Sequence, residues 1–482
     1  MEILLRNFYE ENTAEEFMNI QDTIAAPATA NGKASIGIIR ISGSDALKTV
    51  QGIFEPKNKE VRLADSKRRL VYGHIVDKGE VVDEVLISYM KAPHTFTCED
   101  IVEINCHGGM KAVEKIMSLV ITKGARAAQR GEFTKRAFLN GRIDLSQAES
   151  VMDIISAKST KSYETAQKQL AGNLSRRIDS VYEKIEMSLA KITVAIDFPD
   201  EIDEEVTKNE LVNELSDTIS QIENIKSTYK NGKIIKDGIN VAIVGKPNVG
   251  KSSLLNELLE ENRAIVTDIA GTTRDVITES LDIDGITVNI MDTAGIRDTS
   301  DSVEKIGVQR SMESIKNADM VLFMVDSSSE ITKDDEELYE KIKDKPYVVI
   351  VNKSDLKKRF DLEELLDDSH GEETSESNII HVSVKNKIGM DDIKKRIYWE
   401  ATSYETNDNT DSVIITNARH YALLQKSIAS LSDAKDAIIS GEPFEIFETD
   451  YYDALSELGE ITGKSVTENL LDTVFENFCI GK

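Results

Sequence analysis

Cysteine is scarce in this chain. Cys98, Cys106 and Cys479 are its three thiols, and none stands in a C-x-x-C pair. That excludes a disulfide framework and speaks against a thiolate zinc site. Long hydrophobic runs are missing too: no stretch of 18 apolar residues occurs, so no membrane-spanning helix is expected. The first twenty residues lack the basic start and apolar core of a secretory or transit peptide, and carry Glu2, Glu10, Glu11, Glu15 and Glu16 instead. A cytoplasmic protein is expected. Positive charge is in the minority, with 58 Lys plus Arg against 86 Asp plus Glu and a net charge of −28. Such a surface repels nucleic acid and anionic membranes as a whole, so an RNA partner would be met by a local basic patch or through another protein. What is present is a 40% apolar fraction with only 7 prolines, the composition of a helix-rich globular chain.

A length of 482 residues exceeds one hydrophobic core, so two to four domains are expected. From Asp22 to Arg142, the β-branched segments 36–41 and 81–87 read as strands. Residues 110–123 read as a helix stopped by Gly124, completing an α+β domain. Farther on, Leu145, Ala148, Met152 and Ile155, then Ile178, Val181, Ile185 and Leu189, recur at helical spacing. Pro199 interrupts them, a second helix is predicted over 210–229, and Asn231-Gly232 reads as a turn. Between Ile239 and Trp399, strand-like and helix-like segments alternate, the pattern of an α/β domain with a mostly parallel sheet. The acidic stretch 361–377 reads as a surface insertion in it. Helices are predicted over 417–440 and 450–477. Too few for a core of their own, they are expected to pack on the helices before the α/β domain, which makes that domain an insertion. The expected divisions are an extension over 1–21, an N-terminal domain over 22–142, helical segments over 143–235 and 401–482, and the α/β domain over 236–400.

The segment Gly245-Lys246-Pro247-Asn248-Val249-Gly250-Lys251-Ser252 matches G-x-x-x-x-G-K-S. It follows an apolar strand and opens a helical run, so its backbone N–H groups and the helix N-terminus can cradle phosphates. Lys251 would reach the β- and γ-phosphates, and Ser252 would ligate magnesium. Asp292-Thr293-Ala294-Gly295 follows a second strand, with Asp292 placed for the magnesium shell and the Gly295 N–H for the γ-phosphate. Asn352-Lys353-Ser354-Asp355 ends a third. A carboxylate at Asp355 can accept two hydrogen bonds from N1 and N2 of guanine, a donor pair that adenine lacks, so the nucleotide is read as GTP. Ser383-Val384-Lys385 ends a fourth strand and can back the base. In Thr267-Asp268-Ile269-Ala270-Gly271-Thr272-Thr273, Thr273 can offer its hydroxyl to magnesium, and such a segment orders around a triphosphate. Val249 and Ser253 complete the nucleotide-binding set.

The hydrolytic machinery reads differently from the Ras type, in which a Gln after the D-x-x-G motif orients water and an arginine finger neutralises charge. Here Ile296 follows Gly295, and an apolar side chain cannot align water. Glu304 is a candidate for the orienting group, although by sequence it also reads as an exposed helix acid. Asn248 reads either as a turn residue after Pro247 or as the ligand of a monovalent cation standing where an arginine would.

Nearly the whole chain resembles the tRNA modification GTPase MnmE (TrmE) family. The resemblance rests on Asp22-Thr23-Ile24-Ala25-Ala26, Arg40-Ile41-Ser42-Gly43, the segment Pro93 to Asp100, Glu103, His107-Gly108-Gly109, the long segment Arg130 to Arg142, and Cys479-Ile480-Gly481-Lys482. It implies an α/β plus α architecture: an N-terminal α+β domain that binds folate and dimerises, a discontinuous helical domain, and an inserted Ras-like P-loop GTPase domain. It implies potassium-stimulated hydrolysis, with Asn248, Thr267, Ile269 and Thr272 around K+ and Glu304 orienting water. It implies a folate site at Arg40, Glu103, Arg142 and Lys482 for a 5,10-methylene- or 5-formyl-tetrahydrofolate, and a functional thiol at Cys479 whose activation is not legible. The implied partners are a second copy, the FAD-carrying flavoprotein MnmG (GidA) in a heterotetramer or larger complex, and tRNA. The implied product is an aminomethyl or carboxymethylaminomethyl group at C5 of the wobble uridine. The chain departs from the family pattern at Cys98, where a Gly is usual, and in residues 1–21, which are assigned no function. Two other readings stay open: a regulatory GTPase of ribosome assembly, and a helical dimerisation scaffold with an inert nucleotide domain. Basic groups at Lys67-Arg68-Arg69 and between Arg126 and Arg136 could meet tRNA phosphates, but read more simply as solvated charge.

Overall fold

The computed structural model describes residues 22–30, 32–200, 203–262, 278–292, 314–359, 378–403 and 413–482. Its contacts divide the chain into two compact units, residues 1–152 with 459–482, and residues 153–458.

The first unit is built on a sheet of seven strands: β1 (Ile24–Pro27), β2 (Ile36–Ser42), β3 (Phe54–Pro56), β4 (Leu70–Asp77), β5 (Glu80–Met90), β6 (Ile101–His107) and β7 (Arg126–Ala127). They lie in the order β3-β4-β5-β6-β2-β1-β7. The two-residue period of β2 sends Ile39 and Ile41 into a core with Val102 and Ile104 of β6 and with Ile116 and Val120 of the helix Met110–Thr122. Burial of each of these side chains is worth about 1.5–3 kcal/mol. The same period sends Arg40 to the opposite face, where Ile24, Ala26, Ala128 and Phe133 form a small second cluster with Phe96 against it. The helix Met110–Thr122 ends where expected, at a left-handed Gly124.

In the second unit, a six-stranded sheet of β8 (Ile239–Val244), β9 (Thr278–Ile283), β10 (Ile286–Asp292), β11 (Met320–Asp326), β12 (Tyr347–Asn352) and β13 (Ile379–His381) has the order β13-β12-β11-β8-β10-β9. Every pairing is parallel except that of β9 with β10. The central strands β8, β11 and β12 are near-continuous apolar runs, as burial on both faces requires. Long helices Asn173–Asp197, Glu204–Ser227 and Ala418–Ile439 belong to the same unit, the third packed on the second. The first stops two residues short of Pro199, and the Asp203 carboxylate caps the second by accepting from the Val206 N–H. Entry to and exit from the α/β portion lie side by side. The Ile415 N–H donates to Thr228 Oγ1 at 3.1 Å, and Gln169 Nε2 donates to the Ile414 carbonyl at 2.9 Å. The α/β plus α architecture with an inserted P-loop domain is therefore present.

Two local expectations are corrected. Asn231-Gly232 is not a turn but lies inside the helix Tyr229–Asp237, where both residues are buried. The helix expected over 450–477 is two, Phe444–Thr462 and Glu468–Glu476. Gly463 in the left-handed region ends the first, and Thr467 caps the second by accepting from the Leu470 N–H. Among the described residues no helix is long and apolar enough to cross a membrane.

Candidate functional site

The described nucleotide motifs all sit at carboxyl ends of parallel strands, the edge at which open α/β sheets bind ligands. The phosphate loop follows β8 and runs into the helix Lys251–Asn262, with Ser252 and Ser253 exposed on its first turn. Lys251 Nζ reaches back across the loop to the carbonyls of Gly245 and Lys246 at 2.6 and 2.7 Å. Lys246 Nζ is anchored outside the loop, on Thr332 Oγ1 at 3.0 Å and on the buried Asp335 carboxylate. Asn248 is exposed and left-handed at φ 66, a conformation Asn tolerates better than most residues. Gly250 has no alternative, because a Cβ there would lie 2.3 Å from Asn352 Nδ2.

Asn352 ties three motifs together. It is buried, donates from Nδ2 to the Val249 carbonyl at 2.8 Å, and accepts at Oδ1 from the Val384 N–H at 3.2 Å. The phosphate loop, the Asn352-Lys353-Ser354-Asp355 loop and the Ser383-Val384-Lys385 loop are thus held by one side chain. Ser383 Oγ donates to Asp355 Oδ1 at 2.6 Å. That bond, with smaller help from the Asp355 backbone and Lys385, holds the Asp355 carboxyl below its usual range, so it is an ionised acceptor. Lys353, left-handed at φ 61, donates to the Asn248 carbonyl at 3.3 Å and pairs with Asp326. Asp292 ends β10 in register with Ile243, two residues before Gly245. The residues Thr267, Asp268, Ile269, Ala270, Gly271, Thr272, Thr273, Thr293, Ala294, Gly295 and Glu304, and the Asp292 side chain, lie outside the described residues.

In the first unit, Arg40 and Glu103 are direct partners in the β2–β6 register, and Arg40 Nε donates to Glu103 Oε1 at 2.9 Å. The Arg40 guanidinium lies 5.6 Å from the Phe96 ring centroid, and that of Arg142 lies 4.5 Å from the same ring. The chain's last residues return here. Ile480 bridges to Arg130, and the Gly481 carbonyl accepts weakly from Arg40 Nη1 at 3.5 Å. Burial, followed by the Arg40 charge, pushes the Lys482 amine below its ordinary pKa, with Cys479 and Glu103 opposing. Arg40 and Arg142 thus gather about Phe96, with Glu103 paired to Arg40 and Lys482 close enough to feel the charges of both Arg40 and Glu103. The Cys479 thiol is exposed.

The reading of the segment Arg126 to Arg136 as solvated charge is corrected at Arg126 and Arg136, while Arg130 is exposed as expected. Arg136 is 3% exposed and bonds to Asp22, Glu99 and Glu132, while Arg126 bonds to Asp22 and Glu132. Burial pushes the Glu132 carboxyl up, but hydrogen bonds from Arg126, the Gln129 N–H and Arg136 outweigh it, and the net shift is downward. The network steadies the loop that carries Phe96: Ser42 Oγ bonds both Thr97 Oγ1 and Glu99 Oε2, and Asn140 Nδ2 donates to the Thr97 carbonyl at 2.6 Å. Phe96 and Asp326 were not among the residues singled out from sequence. Both had a signal: an aromatic inside a recognisable motif, and a carboxylate ending an apolar strand.

A family model for the GTP-binding protein TrmE N-terminus matches residues 23–142, and one for the MnmE helical domain matches residues 145–479. The chain is 48% identical over 467 residues to the tRNA modification GTPase MnmE of Alkaliphilus metalliredigens, covering 96% of this chain and 100% of that one. To the same-named protein of Clostridioides difficile it is 47% identical over 466 residues, again covering 96% and 100%. Among solved structures it is similar to the G domain of the T. maritima FeoB iron transporter, at 25% identity, covering 34% of this chain and 98% of that one with a TM-score of 0.25. On the matches that run its length, the chain belongs to the MnmE (TrmE) family of tRNA modification GTPases.

Proposed function

We propose that this GTPase works with the flavoprotein MnmG to place an aminomethyl or carboxymethylaminomethyl group at C5 of the wobble uridine of certain tRNAs, drawing the carbon from a tetrahydrofolate. The observation that carries this reading is the cationic pocket around Phe96. In a protein of net charge −28, Arg40, Arg142 and the half-buried Lys482 gather beside a single paired carboxylate, Glu103. Such a site suits a polyanionic ligand: the cations match a glutamate tail, the Phe96 ring offers a stacking face, and Glu103 can accept a paired N–H set from a pterin. The folate would supply the one-carbon unit, and these residues would bind and orient it. FAD would belong to the partner.

Magnesium would be held by Ser252 and Thr273 together with phosphate oxygens. Ser252 fits, since its exposed hydroxyl is a hard oxygen donor on the first turn after the loop. Potassium would be held by Asn248 with Thr267, Ile269 and Thr272, and would supply positive charge beside the phosphates. The exposed left-handed Asn248 is free to turn its amide oxygen that way. Glu304 would orient the attacking water. Cytoplasmic location, pairing of two copies, and the domain divisions at 142, 235 and 400 belong to the same reading.

Two measurements test it together. Steady-state turnover in potassium should exceed that in sodium several-fold, and a tetrahydrofolate titration should saturate and lose its signal in Arg142→Ala. Equal turnover in the two salts removes the cation role, and undiminished binding by Arg142→Ala removes the pocket.

A further inference from the structure

At the carboxyl end of β11 the chain reads Asp326-Ser327-Ser328. None of the three belongs to a nucleotide motif, yet Asp326 and Ser327 bond directly to one and Ser328 braces Asp326. Asp326 lies opposite Asn352 in the β11–β12 register. Its Oδ1 accepts from the Ser328 N–H at 2.9 Å and from Ser328 Oγ at 2.7 Å, and its Oδ2 accepts from Lys353 Nζ. The Ser327 N–H donates to the Asn352 carbonyl at 2.9 Å, and Ser327 Oγ donates to the Lys353 carbonyl at 2.7 Å. Lys353 therefore has both ends of its residue held by this strand terminus, its carbonyl by Ser327 and its ammonium by Asp326.

The holding has a purpose in the backbone. Lys353 is left-handed at φ 61, a conformation that side chains other than Gly and Asn disfavour. Fixed there, it presents Asp355 beyond it toward Ser383 and sends Nζ to the Asn248 carbonyl in the phosphate loop. Asp326 itself is 12% exposed. Burial pushes its carboxyl up, but the bonds from Lys353 and Ser328 outweigh this and keep it ionised. With both oxygens engaged inside the protein, it acts on another residue and not on a ligand.

We infer that Asp326 is a positioning residue for guanine-nucleotide binding, setting Lys353 and through it the spacing between the base-recognising loop and the phosphate loop at Asn248. The inference rests on Lys353 and Asp355 belonging to the guanine site, and the test separates the two.

The test measures dissociation of a fluorescent GDP analogue from the full chain, alongside GTP turnover and thermal melting. Asp326→Asn keeps the shape and removes the charge. Losing a charge-assisted bond should speed dissociation roughly tenfold and raise KM for GTP by a similar factor, with kcat within about twofold. The melting temperature should stay close to that of the parent. Since Asp326 acts through Lys353, the double variant Asp326→Asn, Lys353→Met should dissociate no faster than Lys353→Met alone. Dissociation by Asp326→Asn within about twofold of the parent, or additive effects in the double variant, overturns the inference. A lowered melting temperature with unchanged dissociation overturns it too. Asp355→Asn is the control for the site: if it leaves GDP binding intact, the guanine site itself is misplaced. Should Asp326→Asn not fold, Ser328→Ala carries the question. It removes one donor to Oδ1, so dissociation should quicken several-fold, and a parental rate would overturn the assignment.

Discussion

Gly232 lies so close to Ile415 that a Cβ added to the glycine would sit 2.0 Å from the Ile415 carbonyl oxygen and 2.8 Å from Ile414 Cγ2. The glycine is in the buried face of the helix leading into the nucleotide sheet, and Ile414–Ile415 lies on the return from it. Two effects of Gly232→Ala therefore oppose each other. Helix propensity favours Ala by about 1 kcal/mol, while forcing backbone away from backbone costs roughly 1–3 kcal/mol or more. Because the clashing atom is a main-chain oxygen that cannot rotate aside, the clash is expected to win. Urea unfolding should show Gly232→Ala net destabilised by about 1–2 kcal/mol, and a stabilised variant would show that the two segments are not so close.

The same pair explains why Asn231-Gly232 misread as a turn. The dipeptide is a strong local turn signal, but Gly serves equally where another backbone must come near, and that demand comes from Ile414 and Ile415, far along the chain. Local signals carried most of what was legible. The phosphate loop, the Asn352 loop and the strands that lead into them announce themselves by spacing and apolar runs. The partnership of Arg40 with Glu103 is different, since only the β2–β6 register makes them neighbours. The burial of Arg136 was hidden for the same reason: its partners Asp22 and Glu99 are remote in sequence, and a run rich in Arg and Lys reads as surface until its carboxylates are found.

Glu132 should make the first unit acid-sensitive. Its folded pKa is depressed from 4.5, so its stabilising contribution is present above pH about 4.5 and is lost as pH falls through the lower folded value. Removing the charge by Glu132→Gln leaves Arg126 and Arg136 less compensated, at a cost of roughly 3 kcal/mol at neutral pH. The variant should also show a shallower fall in stability between neutral and acid pH than the parent. Chemical unfolding at a series of pH values reads both, and parallel curves would show that Glu132 does not titrate differently in the two states.

Cys98 occupies the left-handed region at φ 60. An L side chain there costs about 1–2 kcal/mol, and Gly gives back roughly 0.5–1 kcal/mol through the freedom of the unfolded chain. Cys98→Gly should therefore melt at or slightly above the parent temperature, whereas Cys98→Val, with a branched Cβ, should melt below it. Calorimetry on the three proteins decides this, and a clear loss in Cys98→Gly would mean that the thiol makes a contact outweighing the strain.

On the proposed reading, Asp355 sets the base. As an ionised acceptor beside Ser383 it can take two hydrogen bonds from guanine. Asp355→Asn keeps one acceptor and turns the other into a donor facing a donor. At about 1.5–3 kcal/mol per bond to a charged group, GTP affinity should fall by roughly a hundredfold or more. Xanthosine triphosphate, which carries an oxygen where guanine carries the N2 amine, should gain on GTP. Competition binding with the two nucleotides checks the exchange of preference, and unaltered discrimination would move base recognition to another residue.

Gly481 tests whether the tail completes the cationic pocket. It is left-handed at φ 93, and a Cβ on it would lie 2.2 Å from the Pro27 carbonyl oxygen, a β1 main-chain atom held in the sheet. Pro27 is held in register with Ile39 of β2, so the tail at Gly481 is the part expected to give way. Lys482, the next residue, would be carried from Arg40 and Glu103. Gly481→Ala should then weaken tetrahydrofolate binding about as much as Lys482→Ala, while GTP turnover by the second unit stays parental. The melting temperature should change little, because few apolar contacts hang on the final two residues. A Gly481→Ala protein that binds folate as tightly as the parent would show that the pocket does not need the tail. One that loses GTP turnover in step would show that the tail does more than supply Lys482.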